Sequence, residues 1–196
     1  MKTIIAVIFF VVMSYASEQK QKLEYGQGSC KRYGGIADFD PKKFFSGNWS
    51  LTHATRSTRV TDSTVCRDYD LKMHDNGTIE AMYGYNENRC GNPYDVHCYG
   101  TQNSSRKDEF NFDCHLHNDR EEKMDTHIDA YFLATDYDTY CVVYRCVTTT
   151  EYFEDNLFIL FRPGKTDESY AKILVENYGL TMNDILARKD ATCAKS

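Results

Sequence analysis

His115 and His117, with Asp113 two positions earlier, are the constellation in this 196-residue chain that most resembles a metal-ligand set. In a strand, residues two apart share a face. Here that face lies opposite Phe110, Phe112 and Leu116, which makes it the outer, solvated one, and we expect no bound metal. Catalysis has no other support. The chain has no Gly-x-Ser-x-Gly elbow, no phosphate loop and no HExxH helix, and its carboxylates are scattered along polar faces. What remains is recognition chemistry. The chain carries 15 tyrosines and 11 phenylalanines, with two ionisable side chains, His53 and Arg67, on faces that read as inward. No acid reads as inward with comparable clarity. A buried arginine suits a carboxylate or phosphate, whereas an amine would want a buried acid.

Strands must position those side chains. From Gly47 the hydrophobic period becomes two: Trp49, Leu51 and His53 share one face, and Asn48, Ser50 and Thr52 the other. Segments 66–74 and 78–86 flank Asp75-Asn76-Gly77, an Asn-Gly turn of the kind that closes a tight hairpin. Segments 94–101, 109–116, 123–135, 139–147 and 156–162 follow, joined by short turns or loops. This series predicts an all-β chain, an eight-stranded up-and-down antiparallel barrel whose closure leaves no edge to aggregate. An immunoglobulin-like sandwich would need a Cys…Trp…Cys spacing that is missing. Residues 166–178 switch to helical spacing, with Thr166 as a candidate cap and Gly179 as the stop, so one C-terminal α-helix packs outside the barrel.

The N-terminal 1–16 reads as a secretory signal peptide: Lys2, an apolar run over 4–13, then Ser14-Tyr15-Ala16. The rest, 17–196, is one domain: an arm (17–45), the barrel (47–163), the helix (166–178) and a tail (179–196). We expect it to be secreted and extracellular. Removing Lys2 takes the formal charge from −6 to −7, which argues against nucleic acid or an anionic membrane as partner. The eight cysteines, an even number, suit disulfides in an oxidising compartment. Asn48, Asn76 and Asn103 open N-x-S/T sequons, candidate glycosylation sites.

Three motifs then agree. Gly47-Asn48-Trp49 opens the first strand, Thr135-Asp136-Tyr137 falls between the sixth and seventh, and Arg162 ends the eighth. In these positions the chain resembles the lipocalins (calycins), most closely the salivary lipocalins of blood-feeding triatomine bugs, the triabin and nitrophorin group. The resemblance implies that Arg162 packs across Trp49 at the closed end, and that Cys30 pairs with Cys146 and Cys66 with Cys193. Cys98 and Cys114 sit symmetrically about a turn, so a cross-strand pair is open to them, but the pairing of Cys90, Cys98, Cys114 and Cys141 is left unassigned. Nitrophorins hold haem on a histidine of the third strand, whose place corresponds to Gly84 here, so no haem of that kind is expected.

The resemblance implies capture of a small host mediator of haemostasis or inflammation: an eicosanoid, a biogenic amine or an adenine nucleotide. The alternative it offers is a scaffold whose outer surface blocks a clotting protease or platelet–collagen activation. The expected ligand-binding residues are His53, Arg67, Tyr83, Tyr85, Phe110, Phe112, Phe132 and Tyr144, with Val96, Ile128 and Val142 on the same inward faces. The competing expectation is that these side chains simply fill the interior. Arg67 tilts the ligand towards an anionic amphipathic mediator.

Overall fold

Strand β1 (Ser46–Thr55) closes the architecture, because it pairs with strands from both ends of the sheet. In the computed structural model β2 (Asp68–Met73), β3 (Ile79–Tyr85), β4 (Tyr94–Asn103), β5 (Arg106–Asn118), β6 (Lys123–Thr135), β7 (Tyr140–Thr148) and β8 (Phe153–Phe161) follow, each antiparallel to the next. β1 joins β2 on one side and β8 on the other, so the expected eight-stranded barrel is closed. The residues described are 23, 25–57, 60–85, 94–149 and 153–193; the leader 1–16, Cys90 and the side chain of Tyr85 lie outside them.

The tail differs from expectation. It supplies a short strand, β9 (Ile185–Ala187), which pairs with the end of β1 beyond its contact with β2. The arm contains a four-residue helix, α1 (Pro41–Phe44), capped by Asp40 and started by proline at its first position. Helix α2 (Glu168–Asn177) packs outside as anticipated, but Asp167 and not Thr166 caps it, accepting from the Tyr170 amide.

The closed end shows why the three motifs travel together. Trp49 is fully buried, stacks on Phe44 at 4.9 Å and donates its indole N–H to the Phe44 carbonyl. The Arg162 guanidinium lies 3.9 Å from the Trp49 ring and donates to the carbonyls of Lys43, Ser46, Asn48 and Tyr137. Gly47 is in the left-handed region at φ +69°, where a side chain would be strained and would point towards Arg162. Asp136 accepts from the amides of Asp138, Thr139 and Tyr140, which fixes the turn that presents the Tyr137 carbonyl. The sequons at Asn48, Asn76 and Asn103 all lie towards this pole; Asn103 is tied to Glu109 through its amide nitrogen.

Two separate cores result. One fills the barrel and runs from the Phe39–Phe44–Phe45 plug upward. The other lies outside it, between β6–β8 and a cover made of the arm, α2 and β9. β7 and β8 are consequently buried on both faces along most of their length. Disulfide Cys30–Cys146 ties the arm to β7 and Cys66–Cys193 ties the tail to the segment just before β2, across sequence separations of 116 and 127 residues. By chain entropy each contributes about 4–5 kcal/mol, an upper guide. Cys98 and Cys114 are directly opposed on β4 and β5, with Cα atoms 4.0 Å apart, and form a third bridge. Cys141 is buried near the closed end as a free thiol.

Candidate functional site

Above the phenylalanine plug the barrel holds a cavity of about 100 Å³. Its floor is Phe44, Phe45 and Phe132, and its walls include Tyr69, Tyr83, Phe112 and Phe158. The open end is the pole opposite the plug, where β1, β3, β5 and β7 end. The interior is thus not completely filled, and the void is lined by apolar side chains except at one side.

That side carries the charge. Arg67, only 3% exposed, enters just before β2 and lies 5.6 Å from the Tyr83 ring and 5.6 Å from Phe158. Arg145, on β7, reaches the same Phe158 at 5.1 Å. Arg145 donates to Asn156 Oδ1 at 2.8 Å and sits 3.5 Å from Glu154 Oε1. Burying ions is costly unless they are paired and hydrogen-bonded, so Glu154 and Asn156 fix the Arg145 head. Tyr69 packs on Tyr83 at 4.7 Å. Burial pushes the Tyr83 hydroxyl above its ordinary pKa, against the opposing pull of Arg67, so it remains a neutral donor at physiological pH.

The structure places Tyr83, Phe112 and Phe132 on this cavity, sets Arg67 against two of its lining rings, Tyr83 and Phe158, and sends others elsewhere. His53 does not face inward. A bulge between Leu51 and His53 breaks the alternation of β1 and turns the imidazole out under α2, fully buried against Glu168 Oε2 (3.2 Å) and Thr52 Oγ1 (2.9 Å). Burial lowers its pKa, which Glu168 only partly offsets. Tyr144 and Val142 belong to the outer core. Tyr144 donates to Asp155 Oδ2 at 2.6 Å, accepts from the Lys31 amide and packs edge-on against Tyr33. Their β7 neighbours Val143 and Arg145 line the cavity instead. Phe110 points inward but is spent in the plug, against Phe39, Phe45 and Phe132. Tyr85 ends β3 opposite Tyr94, and its side chain lies outside the described residues.

Sequence reasoning missed Arg145, because both faces of β7 are apolar and its parity was assigned the wrong way round. It also missed Glu154, an inward acid, by starting the eighth strand at Asn156 when β8 begins at Phe153. A strand pattern extended back through Glu154 would have found the Arg145 partner.

Haem of the nitrophorin kind does not fit. Gly84 shares the outward row of β3 with Met82, so no side chain there could reach the interior. His53 faces α2, and His74, His97, His115, His117 and His127 engage carboxylates on the outer surface. Among the described residues no group of three or more His, Cys, Asp or Glu side chains is placed to hold a metal ion, and no helix is long and apolar enough to cross a membrane.

A closed eight-stranded up-and-down barrel with a tryptophan–arginine plug at one pole and a helix outside is a lipocalin. The chain belongs to the Triabin family, whose model matches residues 23–171. It is 34% identical to Triafestin-2 of Triatoma infestans over 169 residues, 83% of this chain and 79% of that one. Among solved structures it resembles a biogenic amine-binding protein (TM-score 0.70, 14% identity, covering 85% of this chain and 91% of that one). It also resembles a variant of LTBP1 in complex with leukotriene C4 (TM-score 0.54, 21% identity, 82% and 91% coverage). At these identities the structures speak to the fold. As a Triabin-family lipocalin, the chain falls among secreted proteins that bind ligands or act as inhibitors.

Proposed function

We propose that this is a secreted salivary lipocalin that sequesters one small anionic, amphipathic host mediator of haemostasis or inflammation, by stoichiometric capture without turnover. The observation that carries this reading is the meeting of Arg67 and Arg145 over Phe158 at the edge of an apolar cavity. Glu154 is already engaged by Arg145, which leaves it poorly placed for an amine. A carboxylate or phosphate head would take the arginine side, with its apolar body against Tyr83 and Phe112 and its length rising towards the open end. Binding of leukotriene C4 by a protein of the same fold is in keeping with this. Calorimetry against eicosanoid carboxylates, biogenic amines and adenine nucleotides tests it: heat is expected from an anion, and none from any of them would overturn capture.

A second reading has its own support. The small cavity sits beside an outer face on β2–β6 that presents Asp70, Glu80, Asp95, Asp113, Asp125 and Asp129. Such a face suits a basic patch on a clotting or platelet protein. Clotting and platelet-aggregation assays separate the readings, since surface inhibition survives a variant whose cavity has been filled.

A further inference from the structure

We propose that the outward face of β4 and β5 chelates a divalent transition-metal ion of the copper–zinc kind between His97 and His115. The two residues are directly opposed in register, on the face away from the Cys98–Cys114 bridge. Opposed residues of an antiparallel pair hold their Cβ atoms about 4.5–5.5 Å apart, close enough for two imidazoles to share one ion at about 2.0–2.1 Å.

Hydrogen bonding fixes which nitrogens face each other. His97 gives Nε2 to Glu80 Oε1 at 2.7 Å, and His115 gives Nδ1 to Asp125 Oδ1 at 2.7 Å. A carboxylate only accepts, so the proton of each neutral ring sits on that nitrogen, and Nδ1 of His97 and Nε2 of His115 carry lone pairs. Glu80 lies on β3 and Asp125 on β6, the strands flanking the β4–β5 pair. The two nitrogens of an imidazole point in nearly opposite directions, so rings anchored outward aim their lone pairs inward, across the β4–β5 gap. An imidazole whose second nitrogen donates to a carboxylate is also the arrangement that fixes and strengthens metal-binding histidines.

The surroundings agree. Met82 stands across from His97 on β3, 40% exposed, with a thioether that suits copper. An open groove beside His115 and His117 leaves room for water to complete the coordination shell. Lys123 opposes His117 and disfavours a cation there, which selects the His97–His115 pair over the His115–His117 pair that sequence spacing suggests. With two nitrogens from the chain, no third protein ligand is required.

The test uses untagged, chelator-stripped protein titrated calorimetrically with CuCl₂ and with ZnCl₂. One saturable equivalent is expected, tighter for copper, as the general order of divalent affinities requires. His97→Gln and His115→Gln should each weaken binding at least tenfold, while His127→Gln, on the same face, leaves it unchanged; circular dichroism checks that every variant is folded. Absence of saturable binding, or equal binding by the folded His97→Gln/His115→Gln double variant, overturns the proposal.

Discussion

Arg67 and Arg145 share one ring: their guanidinium carbons lie 5.6 and 5.1 Å from the centroid of Phe158. They are far apart in sequence, Arg67 just before β2 and Arg145 on β7, and only closure of the barrel between β1 and β8 brings them together. Cation–π contact offsets part of the cost of burying them, and Glu154 and Asn156 hold Arg145. The result is a positive edge on an otherwise apolar void, and the functional reading rests on it.

The closed end should be worth measuring first because its geometry is so fully determined. Arg162→Ala removes the 3.9 Å contact with Trp49 and hydrogen bonds to four carbonyls. A loss of about 3 kcal/mol is expected in urea denaturation. Arg162→Lys should recover less than half, since an ammonium lacks the planar fork. Full recovery by lysine would show that charge alone suffices.

Gly100 makes the cavity's shape testable without touching a charge. It lies opposite Phe112, and a Cβ there would collide with the Phe112 ring. Gly100→Ala should cost about 1–3 kcal/mol in stability and weaken ligand binding by pushing Phe112 into the void. Unchanged affinity in the folded variant would place the ligand away from Phe112.

The buried His53–Glu168 contact predicts a pH dependence of definite sign. Burial holds His53 below its ordinary value of 6.5, so the unfolded chain takes up that proton first. Its contribution to stability is present above about pH 6.5 and declines as pH falls towards the depressed folded value. Burial pushes the Glu168 carboxyl up, but hydrogen bonds from Lys189 and His53 outweigh it and hold the group below 4.5. Its contribution is lost at still lower pH, as the folded value is passed. The His127 pKa is raised, its carboxylate partners outweighing burial, so His127 acts in the opposite sense: its contribution is present below pH 6.5 and lost as pH rises through the folded value. The informative quantity is therefore a difference. His53→Gln should flatten the slope of unfolding free energy between about pH 7 and about pH 5.5 relative to wild type; equal slopes would remove His53 from the account.

Much of the fold was legible because its signals are local. Period-two alternation marked the strands, Asp75-Asn76-Gly77 the hairpin, and Gly47, Trp49, Asp136 and Arg162 the closed end, where single residues have single jobs. The site was harder to read. Alternation tells inside from outside only where one face is wet, and β7 is covered by the inner core on one face and by the arm and α2 on the other. Tyr144 and Arg145 were therefore exchanged. His53 was misplaced by a bulge, which shifts parity without a sequence mark. Arg67 and Tyr83 were found because they lie where the outer face is still exposed.

The central claim is that the arginine edge selects an anion, and a matched pair of ligands tests it most directly. An eicosanoid free acid and its methyl ester share one body and differ only in the charged head. Calorimetric titration should give saturable one-to-one binding of the acid and at least tenfold weaker binding of the ester. Arg145→Met should erase that difference, by loss of a charge-assisted contact of about 1.5–3 kcal/mol. Equal affinity for acid and ester, or an unaltered preference in folded Arg145→Met, would contradict the account.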